Sequence, residues 1–455
     1  MLQSDGTRGP GHSPPTRCET EKDPLNARTQ GIHVNQPQKT TAVLSYLEAR
    51  KSELVEFAGR LVAAPSVNPP GNEYDVARVI LKEMEALGLE GTRVAGAASE
   101  RPNLIYRQRG AVGYPRLILN GHMDTKPVGR EDRKLWNTDP LKPTIQDGKL
   151  YGLGAADMKG ALSAILYAAA ALRALDALVC GDLLVVLTAD EEAGAALGAK
   201  WLVDHHELEA DFCLVAEPCG LKEDFESITV AGRNIAKFMT KVHGTQMHSS
   251  ISDIFPSVNA SAKMAWVLWR MATDLELTFE PHPFYPQGPT VSIGSFVSGG
   301  VYYGVYPGYA EFASDIRLIP GMTIESVQAD VEAFLSRLRN EDPELTIELE
   351  FEDSGKQRSW NGLRGDEPFL EMLQRASQCV LGRRLPLTGF PAFTDAYWFE
   401  THLGIPSIPA FGPGLLPLAH GPNEYVATEA IAQASKMYAL AALAYLDGNC
   451  EANDR

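Results

Sequence analysis

Several short segments of this 455-residue chain place imidazole or carboxylate side chains directly after apolar runs. Asn120-Gly121-His122-Met123-Asp124 follows Leu117-Ile118-Leu119, and Asp190-Glu191-Glu192 comes shortly after Leu183–Leu187. Ala216-Glu217-Pro218 follows Phe212–Val215, and Ala419-His420-Gly421 comes shortly after Ile405–Phe411. Between the first two, the stretch from Tyr151 to Gly160 sets Asp157 at the mouth of a helix, where the positive end of the helix dipole favours a carboxylate. In open parallel sheets ligands bind at the carboxyl ends of strands. If the apolar runs are such strands, metal-ligand side chains gather on one rim. One His or Glu at a strand end is usually a solvated loop residue; the recurrence after every run is what points to a site.

The elements that must position these groups are legible from Thr41 onward. A helical stretch through Val62 leads to the turn Asn68-Pro69-Pro70-Gly71 and a second amphipathic helix ending near Leu87. The apolar runs lack clean alternation and are separated by helical patterns, as expected of strands buried on both faces. The segment from about 224 to 355 has another texture. Alternating strands are expected around Ile228–Val242, Thr290–Val297 and Gly308–Leu318. Val327, Val331, Phe334, Leu335 and Leu338 then recur at helical spacing behind the N-cap candidate Thr323, before an alternating strand from Leu345 to Phe351. The order β-α-β-β-α-β suggests a ferredoxin-like sandwich inserted into a larger α/β domain. The expected organisation is a disordered tail at 1–40, a catalytic domain at 41–223 and 356–455, and an inserted domain at 224–355. No internal repeat appears at solenoid periods.

Composition excludes other classes. The net charge of −17 repels phosphate backbones and anionic lipid, so neither nucleic acid nor a membrane surface is an expected partner. The start lacks a secretory h-region, and the apolar stretch Ala161–Leu172 is too short to cross a bilayer. The 6 cysteines are scattered without a CxxC pair, which suggests no disulfide framework and fits a reducing cytoplasm. The stretch from Gly152 lacks the glycine pattern of nucleotide-binding loops, and no G-x-S-x-G elbow is present.

Taken together, the motifs resemble the zinc-dependent amidohydrolase and metallopeptidase family that includes acetylornithine deacetylase, succinyl-diaminopimelate desuccinylase, aminoacylase and carboxypeptidase G. The resemblance runs from about residue 41 to 447. It implies a mixed, mostly parallel sheet with flanking helices and an inserted lid and dimerisation domain. It assigns His122 and Glu217 to one metal, Glu192 and His420 to the other, and Asp157 to a bridge between them. Two Zn²⁺ per subunit are implied, with Co²⁺ or Mn²⁺ as substitutes. Imidazole and carboxylate donors suit this chemistry, since three protein ligands per metal leave a position for water. By the same resemblance Glu191 is the general base; Asp124, two residues from His122, is well placed to orient that imidazole through its second nitrogen. His248, in Gly244-Thr245-Gln246-Met247-His248, is similar to a histidine that reaches a dimer partner's site to stabilise an oxyanion, and Arg317 to an arginine that pairs with a substrate carboxylate. The implied reaction is amide hydrolysis of an N-acyl amino acid. A dipeptidase or carboxypeptidase using the same metals is the runner-up. A catalytically silent homologue is disfavoured by the complete ligand set. Two departures, Gly304-Val305-Tyr306-Pro307 and Asp395-Ala396-Tyr397, replace polar handles of many relatives. Trp136, Tyr302, Tyr303, Tyr306, Phe393, Tyr397 and Trp398 add aromatic surface near the motifs.

Overall fold

The structure, a computed structural model, describes residues 36–178, 180–205, 207–352 and 360–447. Of the expected tail, residues 1–35 lie outside the described residues, and so does the expected boundary at 356. Residues 36–40 are helical, at the start of a helix Gln36–Ala49, so order begins earlier than expected. The cause is tertiary. Val43 and Leu47 are buried in the main core, and Lys39 pairs with Asp447 at 2.7 Å while donating to the Ala177 carbonyl at 2.9 Å.

The main sheet is mixed. Its spatial order is Arg93–Ala95, Asn103–Gln108, Asp182–Thr188, Arg116–His122, Phe212–Val215 and Ser407–Ile408. The last four run parallel to one another; at one edge Asn103–Gln108 is antiparallel to them, and Arg93–Ala95 pairs antiparallel with Asn103–Gln108. Every residue of Asp182–Thr188 is buried, as a strand covered on both faces requires. Helix Gly160–Ala174 packs against the sheet and is apolar all round, the mark of a core helix. Among the described residues, the one helical stretch long and apolar enough to cross a membrane is this helix with its leading turn, Ala155–Ala174, and it is buried inside the protein. Cys180 is disulfide-bonded, a bond the scattered cysteines did not suggest, whereas Cys213, Cys219 and Cys379 are free.

A second sheet lies within 234–351. Its order is Thr290–Gly299, Tyr309–Leu318, Asn234–His243 and Thr346–Phe351, all antiparallel. Alternate residues of Asn234–His243 and Tyr309–Leu318 are buried, and with helices Ala260–Asp274 and Ile324–Glu341 they build a core separate from the first. Both helices start on real caps: Asn259 accepts from the Ala262 amide at 2.9 Å, and Thr323 forms a capping box with Ser326.

The strand expected at Ile228–Val242 is two strands. Ile228–Ala231 pairs with Leu387–Gly389 on the first core, and Asn234–His243 belongs to the second sheet. The break falls at Gly232 and Arg233, because a Cβ on Gly232 would meet the Trp360 ring at 2.1 Å. Beside it the Tyr285 hydroxyl reaches the carbonyls of Ala231 and Phe390 at 2.7 and 2.8 Å, tying the crossing to the first core.

Candidate metal centre

His122 ends its strand with a fully enclosed imidazole. Its Nδ1 lies 3.0 Å from the Asp124 carbonyl oxygen, which can only accept, so Nδ1 carries the proton. Nε2 then faces acceptors, at 2.9 Å from Asp157 Oδ1 and 3.4 Å from Glu217 Oε1. Such an arrangement needs a cation between the facing atoms, either a second proton or a metal. On the other side of Asp157, Oδ2 lies 3.2 Å from His420 Nε2, which is also 3.1 Å from Glu192 Oε2. One carboxylate thus faces an imidazole with each of its oxygens. Ligand-type atoms of His122, Asp157 and Glu192 lie within 4.8 Å of one another, as do those of His122, Glu191 and Glu217. The five residues expected as ligands and the expected base therefore occupy one cluster.

Local backbone explains this placement. Asp190 is left-handed at φ +64° and opens a tight turn that presents Glu191 and Glu192. Asp157 sits on a distorted turn, Ala155–Lys159, entered through Gly154 at φ +75°. The carboxylate that caps this entrance is Glu424, not Asp157 as expected. Glu424 accepts from the amides of Gly154 and Ala156 at 2.9 Å and of Asp157 at 3.0 Å, which leaves the Asp157 side chain to face the imidazoles.

Behind the cluster lies a buried polar network that sequence reasoning missed. Asn68 donates to Asp124 Oδ2 at 2.8 Å and to Asp190 Oδ1 at 3.0 Å. Arg101 bridges Glu73 Oε2 at 2.5 Å and Asp190 Oδ1 at 2.6 Å. Thr188 donates to the buried Asp395 at 2.6 Å. Asp124, Asp190 and Asp395 stood in segments the sequence singled out and Asn68 in a proline turn, but nothing local marked Glu73 or Arg101 or joined these residues across the chain.

Burial and the neighbouring Glu217 hold Glu191 well above the ordinary carboxylate value, and burial with Asp157 pushes Glu217 up to about 8. Hydrogen bonds to Asp157 and Glu192 raise His420 to about 10. Burial opposes charge on His122, but Glu217, Asp124 and Asp157 outweigh it and raise its pKa. Carboxylates crowded until they resist ionisation, beside imidazoles that seek positive charge, form a donor set short of cations. Mixed nitrogen and oxygen donors without sulfur fit divalent metals such as zinc.

A cleft of about 970 Å³ opens from the cluster. Glu191, Glu192, His420 and Lys126 line it on the main domain, while Lys237 and Arg317 line it from the second sheet. Arg317 Nε is 3.5 Å from Asp315 Oδ1. His248 is not brought into this cleft. It is exposed on Met247–His248, where its Nδ1 accepts from the Ser250 hydroxyl at 2.7 Å. Of the expected aromatic surface, Phe393 and Trp398 line the cleft, Tyr397 is core, and Tyr302 and Tyr303 are largely exposed.

A mixed α/β frame thus carries a metal-ligand cluster at its strand ends. The chain belongs to the peptidase family M20/M25/M40, whose model matches residues 118–444, and is a hydrolase of amide or peptide bonds. It is 31% identical over 415 residues to an acetylornithine deacetylase of Myxococcus xanthus, covering 88% of this chain and 99% of that protein. The fold resembles human carnosine dipeptidase 1, with a TM-score of 0.67 and 20% identity over 90% of this chain and 98% of that one. It also resembles a dinuclear metal-binding peptidase of Bacillus subtilis, with a TM-score of 0.61 and 16% identity over 88% and 99%.

Proposed function

We propose that this protein is a dinuclear zinc deacylase that cleaves the amide of an N-acyl amino acid or a related small N-acylated compound. The observation that carries the reading is Asp157, whose oxygens face His122 at 2.9 Å and His420 at 3.2 Å from opposite sides. His122 and Glu217 would hold one cation, Glu192 and His420 the other, with Asp157 shared. Bound there, the pair supplies Lewis acidity to the scissile carbonyl and lowers the pKa of the attacking water. Glu191 takes the proton from that water and delivers it to the leaving amine, a role suited to a carboxylate whose affinity for protons is raised by burial. Arg317 pairs with the substrate carboxylate from the facing wall.

The inserted sheet acts as lid and dimerisation surface in this reading. Its outer strand, Thr290–Gly299, exposes Phe296 and Val297 and a backbone edge with no strand partner among the described residues. His248, outside its own cleft, is available to the cleft of a second copy as an oxyanion donor. The dipeptidase reading is supported by the fold shared with carnosine dipeptidase 1.

The test is amine release from a panel of N-acyl amino acids and dipeptides by the zinc-loaded protein, beside a chelator control and Glu191→Gln. Cleavage of acyl amino acids, abolished by both controls, supports the deacylase. Cleavage of dipeptides alone transfers the function to the runner-up, and turnover that survives both controls overturns the mechanism.

A further inference from the structure

The walls of the cleft differ in chemistry. The second sheet contributes Lys237 and Arg317, each with a carboxylate nearby, Glu352 at 3.1 Å and Asp315 at 3.5 Å. The main domain contributes Pro391, Ala392, Phe393, Trp398 and Leu416, with the Lys200 ammonium 5.7 Å from the centre of the Trp398 ring. Most of these stay partly open to the cleft, although they are apolar and the protein has ample core. Phe393 is half-buried and fixed on its inner side by other rings. Its centroid is 5.0 Å from Tyr397, 6.1 Å from Trp360 and 6.3 Å from Trp398. Trp360 is itself anchored, donating from Nε1 to Glu400 at 3.0 Å. Tyr397 is completely enclosed and Trp398 is 6% exposed. An aromatic block held this way presents a rigid apolar face beside Glu191 and His420, and a rigid face loses little entropy on binding.

We infer that this wall is the acyl subsite, built by Phe393 and Trp398 for a bulky apolar acyl group rather than for a formyl, acetyl or short polar one. The inference rests on the deacylase reading. A substrate whose carboxylate meets Arg317 and whose amide meets the metal cluster leaves its acyl group and its side chain to be placed, and the acyl group lies on the far side of the amide from that carboxylate, as the apolar wall lies on the other side of the cleft from Arg317. Asp395-Ala396-Tyr397 agrees with this, since Tyr397 is withdrawn into the core and adds no charge to the cleft.

The experiment measures kcat/KM for two substrate series on the zinc-loaded enzyme. One lengthens the acyl group of a single amino acid from formyl through hexanoyl and phenylacetyl; the other varies the amino-acid side chain under a fixed acetyl. In the acyl series kcat/KM is expected to rise about fourfold per methylene until the wall is covered. Phe393→Ala, with Phe393→Leu as a milder variant should folding suffer, is expected to lose far more on hexanoyl than on acetyl substrates. A flat acyl series, a gain that follows the amino-acid side chain instead, or equal losses on all substrates overturns the assignment. Calorimetric binding of the same series to Glu191→Gln separates the two readings. Affinity that rises with acyl size without turnover by wild type keeps the subsite and removes the deacylase; neither binding nor turnover removes the subsite.

Discussion

His122 Nδ1 lies 3.0 Å from the backbone carbonyl of Asp124 but 3.5 Å from its carboxylate. The imidazole is therefore held chiefly by main chain, and the Asp124 carboxylate is spent elsewhere. Its Oδ1 accepts from the Glu191 amide at 3.2 Å, and its Oδ2 from the Glu192 amide at 3.1 Å and from Asn68. The sequence reading of Asp124 as the group orienting His122 is thus half of its role. Asp124→Asn turns an amide NH₂ toward groups that already donate. Loss of metal affinity of about 10–100-fold is expected, read by competition with a chromophoric chelator; unchanged affinity and kcat would make the carboxylate dispensable.

Arg101 joins Glu73 and Asp190 with little access to water. Removing one partner of a buried ion pair leaves uncompensated charge and costs about 3–5 kcal/mol. Arg101→Met is expected to lower the urea midpoint accordingly and, by loosening Asp190, to lower kcat in the fraction that stays folded. A change in unfolding free energy within about 0.5 kcal/mol, the range of ordinary surface substitutions, contradicts the account.

Glu400 gives a pH test away from the metal cluster. Burial pushes its carboxyl up to about 7, against the hydrogen bonds from Trp360 and the Gly362 amide. A raised folded pKa means that the folded state binds the proton more tightly. The associated stability is complete below the ordinary value of 4.5 and is lost as pH rises through 7. The contribution is roughly 3 kcal/mol. Unfolding free energies of wild type minus those of Glu400→Gln, measured from pH 4.5 to 8, should fall by about this amount; a level difference curve would refute the assignment.

Zinc should stabilise the folded protein by mass action, by about 2.7 kcal/mol at a free concentration 100 times Kd. The midpoint of thermal unfolding is expected to rise with zinc and return with chelator. His420→Ala should lose most of that rise. If it keeps the full rise, the cations bind elsewhere.

The sequence revealed the rim because each buried strand is short, apolar and followed within a few residues by a ligand-type side chain, as at His122, Glu192 and Glu217. Thr323 was legible for a similar reason, since a cap and its helix are neighbours in the chain. What stayed hidden was set by contacts between distant segments. Arg101 meets Asp190 across 89 positions, and Glu424 reaches the Asp157 amide across 267; no local period marks either. The helix Gln36–Ala49 was expected from Thr41 on; its first turn was missed for the same reason, because Lys39 is held by Asp447, far along the chain.

At Gly232 the chain leaves the first core, and the indole of Trp360, near its return, lies directly on that glycine. The outgoing chain at Gly232 and the described residue Trp360 therefore meet at one spot. Two straps set well apart make a door hinge with a single allowed axis, whereas straps that touch make a swivel, stiff against pulling and soft against twist. A molecule held at once by Arg317 and by the rim around His420 would add a third point of attachment at a distance from the swivel. Three such points brace a frame, so the substrate itself would complete the rigidity that the covalent chain leaves open.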